Sequence, residues 1–167
     1  MTNIVLIAHN IRSTYNVGAL LRTSDGLGAK HVYLTGYTPH PYYKGDPRLP
    51  HEATKLTKQI SKTALGAEQE GRWTYERDIQ KVIEDLKDEG YSIVGLEQDD
   101  KATLLSDFKV PRKVAIIVGR EVEGIEQVVL DMCDHIVEIK MFGKKESFNV
   151  GQAAAMALYY CRFYPFA

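Results

Sequence analysis

Cysteine is scarce in this chain, and its scarcity excludes several classes of protein at once. Only two of the 167 residues are cysteines, Cys133 and Cys161. They form no metal-spaced motif and are too few for a disulfide scaffold, so both read as reduced core residues of a cytosolic protein. Long apolar runs are also lacking. The opening run, Ile4 to Ala8, is too short for a secretory leader and has no basic flank. No stretch approaches the ~20 apolar residues that cross a bilayer. The expectation is a soluble, cytoplasmic protein with no membrane contact.

Charge of one sign is missing as well. Lys and Arg number 21 against 22 Asp and Glu, a net charge of −1. That balance carries no sign of a nucleic-acid partner, although a neutral total can hide local basic patches. The five histidines are scattered, without a pair spaced for zinc, so no metal is expected. Three nucleotide or nucleophile motifs are absent too. No G-x-G-x-x-G follows the first strand, no G-x-x-x-x-G-K-[ST] occurs, and no G-x-S-x-G elbow is present.

What the chain does have is alternation. Continuous apolar runs at Ile4–Ile7, His31–Leu34, Ser92–Leu96, Val114–Val118 and His135–Ile139 read as buried strands. Helices are expected from about Asn16 to Gly26 or Gly28, with Asn16 as a plausible cap, then across Glu52–Ala64, Glu76–Glu89, Glu126–Met132 and Val150–Phe163. A proline-rich loop with Tyr37, Tyr42 and Tyr43 separates the second strand from the second helix, and its length points to function. The predicted fold class is α/β, one domain over residues 1–167, with a mostly parallel sheet and helices on both faces.

Three polar stretches lie where such a fold places its ligand sites, after the carboxyl ends of strands. In NVGALLRTSDGLG, Asn16 to Gly28, Arg22 stands on a helix of mostly small and apolar residues. It reads either as a solvated face residue or as a functional cation. In VAIIVGREVEGIEQ, Val114 to Gln127, a buried strand ends in Gly119, Arg120, Glu121, Glu123 and Gly124. That is a ligand loop or a polar turn. In the third stretch, Ile139 to Phe163, Ser147 and Asn149 precede a helix whose positive end favours an anion. One of them could instead merely cap the helix.

Together, in this order and at these distances, the three stretches resemble the signature motifs of the SpoU family of RNA 2′-O-methyltransferases, within the SPOUT group. The resemblance runs from Ile4 to about Tyr160 and includes KTALGAE, Lys62 to Glu68. It implies a C-terminal trefoil knot, which sequence physics alone would not propose. It also implies an obligate homodimer and S-adenosyl-L-methionine as cofactor, held by Leu96, Gly119, Ile139, Met141 and Ser147. Arg22 aligns with the family's catalytic arginine, while Asn16, Glu121, Ser147 and Asn149 match its other polar positions. A guanidinium gives up its proton reluctantly, so orienting a hydroxyl and stabilising an alkoxide suits Arg22 better than acting as a base. Three departures bear on substrate detail: Lys140 where proline is common, Phe148 for leucine, and Gly151-Gln152 for a small or apolar pair.

The implied substrate is RNA, with tRNA favoured over rRNA. Recognition is expected from this chain itself, since no RNA-binding domain precedes Ile4. Candidate surfaces are the Tyr37–Pro50 loop with Arg48, the lysines Lys55, Lys58 and Lys62, and Lys144 and Lys145. Each reads equally as a solvated basic face with tyrosines packing the loop. A SPOUT-fold base methyltransferase and a non-enzymatic RNA-binding or assembly factor are the rival readings.

Overall fold

A computed structural model describes residues 1–164. Seven strands form one sheet: β1 Asn3–His9, β2 His31–Thr35, β3 Trp73–Glu76, β4 Ser92–Leu96, β5 Thr103–Leu104, β6 Lys113–Val118 and β7 His135–Glu138. Their order is β3-β2-β1-β6-β4-β7-β5, and every pairing is parallel. Five helices alternate with them: α1 Thr14–Gly26, α2 Pro50–Ala64, α3 Ile79–Asp88, α4 Gln127–Leu130 and α5 Val150–Phe163.

The strands are buried on both faces, which is why they read as unbroken apolar runs. Ile4, Leu6 and Ala8 of β1, with Val114, Ile116 and Val118 of β6, pack against α1, α2 and α5. The residues between them, Val5, Ile7, Ala115 and Ile117, pack against α3 and α4. The period-two alternation of a strand thus feeds two separate cores. Cys161 is buried in the first core and Cys133 is half-buried beside the second. Burial pushes their thiols up to about 12 and about 11, which leaves both protonated and poorly nucleophilic.

Several boundaries differ from the sequence expectation, each for a local reason. The α1 cap is Ser13, whose side chain accepts from the Asn16 N–H, so the helix begins at Thr14. Asn16 lies inside the first turn, which frees its side chain for other partners. The expected helix from Glu76 begins at Ile79, capped by Asp78, and the preceding Trp73–Glu76 is a strand paired with β2. Four half-exposed residues carry too little periodicity to announce a strand. The two-residue β5 escapes detection for the same reason. α5 spans the expected residues, Val150–Phe163, capped by Asn149. Among the described residues, no helix is long and apolar enough to cross a membrane, and no group of three potential ligands could hold a metal.

Candidate active site

The loops that leave β4, β6 and β7 meet at the carboxyl edge of the sheet and enclose a cavity of about 250 Å³. Of the expected cofactor residues, Leu96, Gly119, Ile139 and Ser147 line it, and Met141 does not. Met141 lies two residues past Ile139, at the start of an exposed stretch that returns to the cavity only at Glu146, Ser147 and Phe148. The walls combine apolar Leu96, Val118, Ile139 and Phe148 with Glu121, Glu138 and Glu146.

Backbone strain and close approach explain the shape of the β6 loop. Gly124 has φ 71°, and a Cβ there would collide with the Glu97 carboxylate. That carboxylate accepts from the N–H groups of Ile125 at 2.9 Å and Gln98 at 3.0 Å, tying the β4 and β6 loops together. Gly119 has no room either, since a Cβ would stand 2.7 Å from Ile125 Cγ1. Both glycines are therefore required by packing.

Three of the expected polar residues form one chain beside the cavity, and one of them, Glu121, lines it. Asn149 Nδ2 donates to Asn16 Oδ1 at 3.2 Å, and Asn16 Nδ2 donates to Glu121 Oε1 at 2.9 Å. Glu121 also accepts from the backbone N–H groups of Ser13 at 3.3 Å and Arg12 at 3.4 Å. Burial works to raise the Glu121 carboxyl, but these bonds outweigh it and hold the group below its ordinary value. Asn149 caps α5 as well, accepting from the Gly151 N–H at 2.9 Å. Capping and site-building are thus both its task.

Arg22 stands apart. It is exposed on α1 and lines a separate depression with Ala19, Thr23, Lys62 and Thr63. The depression lies along the seam between α1 and α2, not at the carboxyl edge of the sheet.

Sequence reasoning missed a buried polar cluster behind the cavity. His9 Nδ1 lies 2.8 Å from Thr35 Oγ1, and His9 Nε2 lies 3.3 Å from Glu126 Oε2. Asn10 Nδ2 donates to Glu126 Oε1 at 2.8 Å, and Arg120 pairs with the same carboxylate at 3.7 Å. Desolvation lowers His9, aided by Arg120 and opposed by Glu126. The only sequence hint was polar residues directly following β1, which a turn explains equally well.

Arg48 was one candidate for an RNA-facing surface, weighed equally against a solvated basic face, and the structure gives its guanidinium partners within its own loop. Its guanidinium donates to Asp46, to the carbonyls of His40 and Pro41, and contacts His40 Nδ1 at 3.0 Å. These bonds brace the 37–50 loop, and Arg48 draws the Asp46 carboxyl down to about 2. Tyr43 packs on His40, whose ring stacks on Tyr75 at 4.1 Å. Tyr37, Tyr42 and the lysines Lys55, Lys58 and Lys62 are exposed, the lysines along one face of α2.

A doubly wound parallel sheet, with a cavity at its carboxyl edge and a polar chain beside it, defines a ligand-binding α/β domain that uses no glycine-rich phosphate loop. The chain belongs to the SpoU rRNA Methylase family, whose model matches residues 3–159. A Staphylococcus haemolyticus protein assigned to the TrmH family of tRNA/rRNA methyltransferases is 30% identical over 155 residues. That match covers 93% of this chain and 56% of the relative, so the chain spans about half the length of that curated relative. A crystal structure of an RNA 2′-O ribose methyltransferase is 26% identical, with a TM-score of 0.77, covering 95% of this chain and 55% of that one. The SpoU methyltransferase AviRb from Streptomyces viridochromogenes, solved with AdoMet, shares the fold at a TM-score of 0.77 and 19% identity, covering 95% of this chain and 56% of its own.

Proposed function

We propose that this chain is an S-adenosylmethionine-dependent RNA ribose 2′-O-methyltransferase that works as a homodimer, with tRNA favoured over rRNA. The observation that carries the reading is the Asn149–Asn16–Glu121 chain, in which one residue from each motif meets beside a cavity that Glu121 lines. A merely structural set of caps and turns has no need to converge on a cavity. The 2′-O-methyltransferase at 26% identity supports ribose as the acceptor.

The cavity suits the cofactor. Leu96, Val118, Ile139 and Phe148 offer apolar walls to a purine, and the surrounding carboxylates Glu121, Glu138 and Glu146 favour a cation. When bound, S-adenosylmethionine supplies an electrophilic methyl group on a sulfonium. The protein's own work is then positioning. Ser147 and the backbone at Gly119 hold the ligand inside the cavity, while Glu121 fixes Asn16 and, through it, Asn149. Arg22 would orient the ribose 2′-hydroxyl and the adjacent phosphate, and stabilise the charge that develops on O2′ as its proton passes to solvent water. Its distance from the cavity of its own chain supports a dimer in which each cavity is completed by the arginine of a second copy. The expected knot belongs to the same proposal, as the way the β6, β7 and α5 segments are held around the ligand.

Transfer of labelled methyl from S-adenosylmethionine to total tRNA and rRNA, followed by mapping of the product, tests the reading. Label in RNA at a linkage that resists alkaline cleavage is expected. An alkali-cleavable linkage would assign the enzyme to base methylation. Failure to bind S-adenosylmethionine by calorimetry would leave only an RNA-binding or assembly factor.

A further inference from the structure

Near the cavity an exposed tyrosine stands on a fixed stretch of backbone, and the reaction outlined above does not use it. Tyr37 follows β2 and is 53% exposed. Its backbone N–H donates to Asn10 Oδ1 at 3.0 Å. Asn10 adopts φ 55°, a conformation uncommon for a side-chain-bearing residue, and its amide is fixed in turn by Glu126 at 2.8 Å. Gly36 is required next to it, because a Cβ at φ 67° would run into the Asn10 side chain. Beside the ring stands Arg12, whose guanidinium is shifted up first by the Tyr37 side chain and then by Glu123. Arg12 Nη2 also donates to Glu123 Oε1 at 2.8 Å, and the Arg12 N–H reaches Glu121 at 3.4 Å.

Tyr37 is thus one residue removed from Glu121, which lines the cavity. A left-handed residue beside a site marks a place where the fold tolerates strain to fix a geometry. Here what is fixed is the backbone from which an open ring projects. The other two tyrosines of the segment differ: Tyr43 is packed on His40, and Tyr42 is anchored only through its backbone N–H to Thr57 Oγ1 at 2.8 Å.

We propose that Tyr37 is a stacking platform for an unpaired RNA base next to the ribose that is methylated. The inference rests on the methyltransferase reading and sharpens its substrate to RNA that is single-stranded at the target. A tyrosine ring on a fixed backbone has only two side-chain torsions to lose when a base settles on it, and every base offers a π-face. Arg12 is neutralised by Glu123, and Glu121 lies beside it, so this patch has little attraction for phosphate. Stacking here contributes affinity that salt does not screen, unlike contacts from the α2 lysines.

Fluorescence anisotropy with a labelled single-stranded RNA of mixed sequence, and with the matching duplex, tests this directly. Y37A should weaken single-strand binding roughly 10-fold, the worth of one stacked base. It should leave duplex binding, the salt dependence and S-adenosylmethionine affinity unchanged. Y37F and Y37W should bind within about twofold of the unmodified protein, because each keeps a ring. Unchanged affinity in Y37A, a loss in Y37F as large as in Y37A, or no preference of the unmodified protein for the single strand would overturn the platform. So would a change in oligomeric mass in Y37A, which would place the ring in a protein contact. These readouts need no turnover, so an inactive protein that still loses single-strand affinity in Y37A would sink the enzyme reading and the place beside a methylated ribose, while the stacking itself would stand.

Discussion

The cavity and the outer face of α1 carry two halves of one proposed chemistry, and they are built on different principles. Around the cavity, loops from distant parts of the chain are tied by carboxylates: Glu97 joins the β4 and β6 loops, and Glu121 joins the β6 loop to the start of α1. The face that carries Arg22 is instead one straight helix seated tightly on another. Gly18 of α1 lies so close to α2 that a Cβ would collide with Thr63 Oγ1 and the Ile60 carbonyl. The first half is shaped to enclose a ligand. The second presents a cation on a rigid surface, to be met by something brought to it.

Removing Arg22 gives the largest expected effect. R22A should lower turnover by about 10²–10³-fold or more, the scale seen when a transition-state donor is lost. Affinity for S-adenosylmethionine should stay within a few-fold, measured by calorimetry, and a large loss there would erase the division into halves. Mixing R22A with E121A, each inactive alone, should restore roughly a quarter of the activity if each cavity takes its arginine from a second copy. No recovery would mean that Arg22 serves its own chain.

Stability separates the halves next. G18A should cost about 1–3 kcal/mol, because the new methyl meets backbone and not a flexible side-chain end alone. The melting temperature should fall by roughly 2–4 °C for each kcal/mol. An unchanged melting temperature would show that α1 and α2 can part without penalty, and that the arginine face is not rigid.

Acid should act on the cavity half with the smallest effect. Burial lowers His9, behind the cavity, and likewise His40 and His31, below the ordinary value of 6.5. Their neutral forms favour the fold, so that stability is present above pH 6.5 and declines as pH falls from there through the lowered folded values. Glu121 and Glu126 are also held below their ordinary value of 4.5, and their contribution is lost only at lower pH. A melting temperature that begins to drop just below pH 6.5 is expected, and H9N should flatten part of that drop. A melting temperature that rises on mild acidification would reverse the sign assigned to these groups.

Much of the fold was legible in advance because its elements are periodic. α5 follows from a composition rich in Ala and aromatics, with Ser147 or Asn149 placed to cap it, and five strands follow from runs buried on both faces. Trp73–Glu76 was not legible, since its strand character comes from pairing with β2 and not from its own pattern. The site divided in the same way. Leu96, Gly119, Ile139 and Ser147 were recognisable by motif, and the cavity accepts them. Arg48 looked like a surface cation because sequence shows charge and not partners. His9, Asn10 and Glu126 carried only the weak signal of polar residues at the end of a strand, as each is unremarkable until the loops after β1 and β6 lie side by side.

The sequence by itself determined the alternating elements, the two-sided burial of the strands and the motif residues, since each of these is written in local spacing. Only the tertiary structure decided which of those residues meet. Placing β6 between β1 and β4 brings Glu121 to Asn16 across 105 positions, and α5 returns Asn149 to the same point across 133. The same geometry leaves Arg22, only six positions beyond Asn16, outside the cavity. A helix turns its side chains by about 100° per residue, so nearness along the chain sets direction, and only packing sets company.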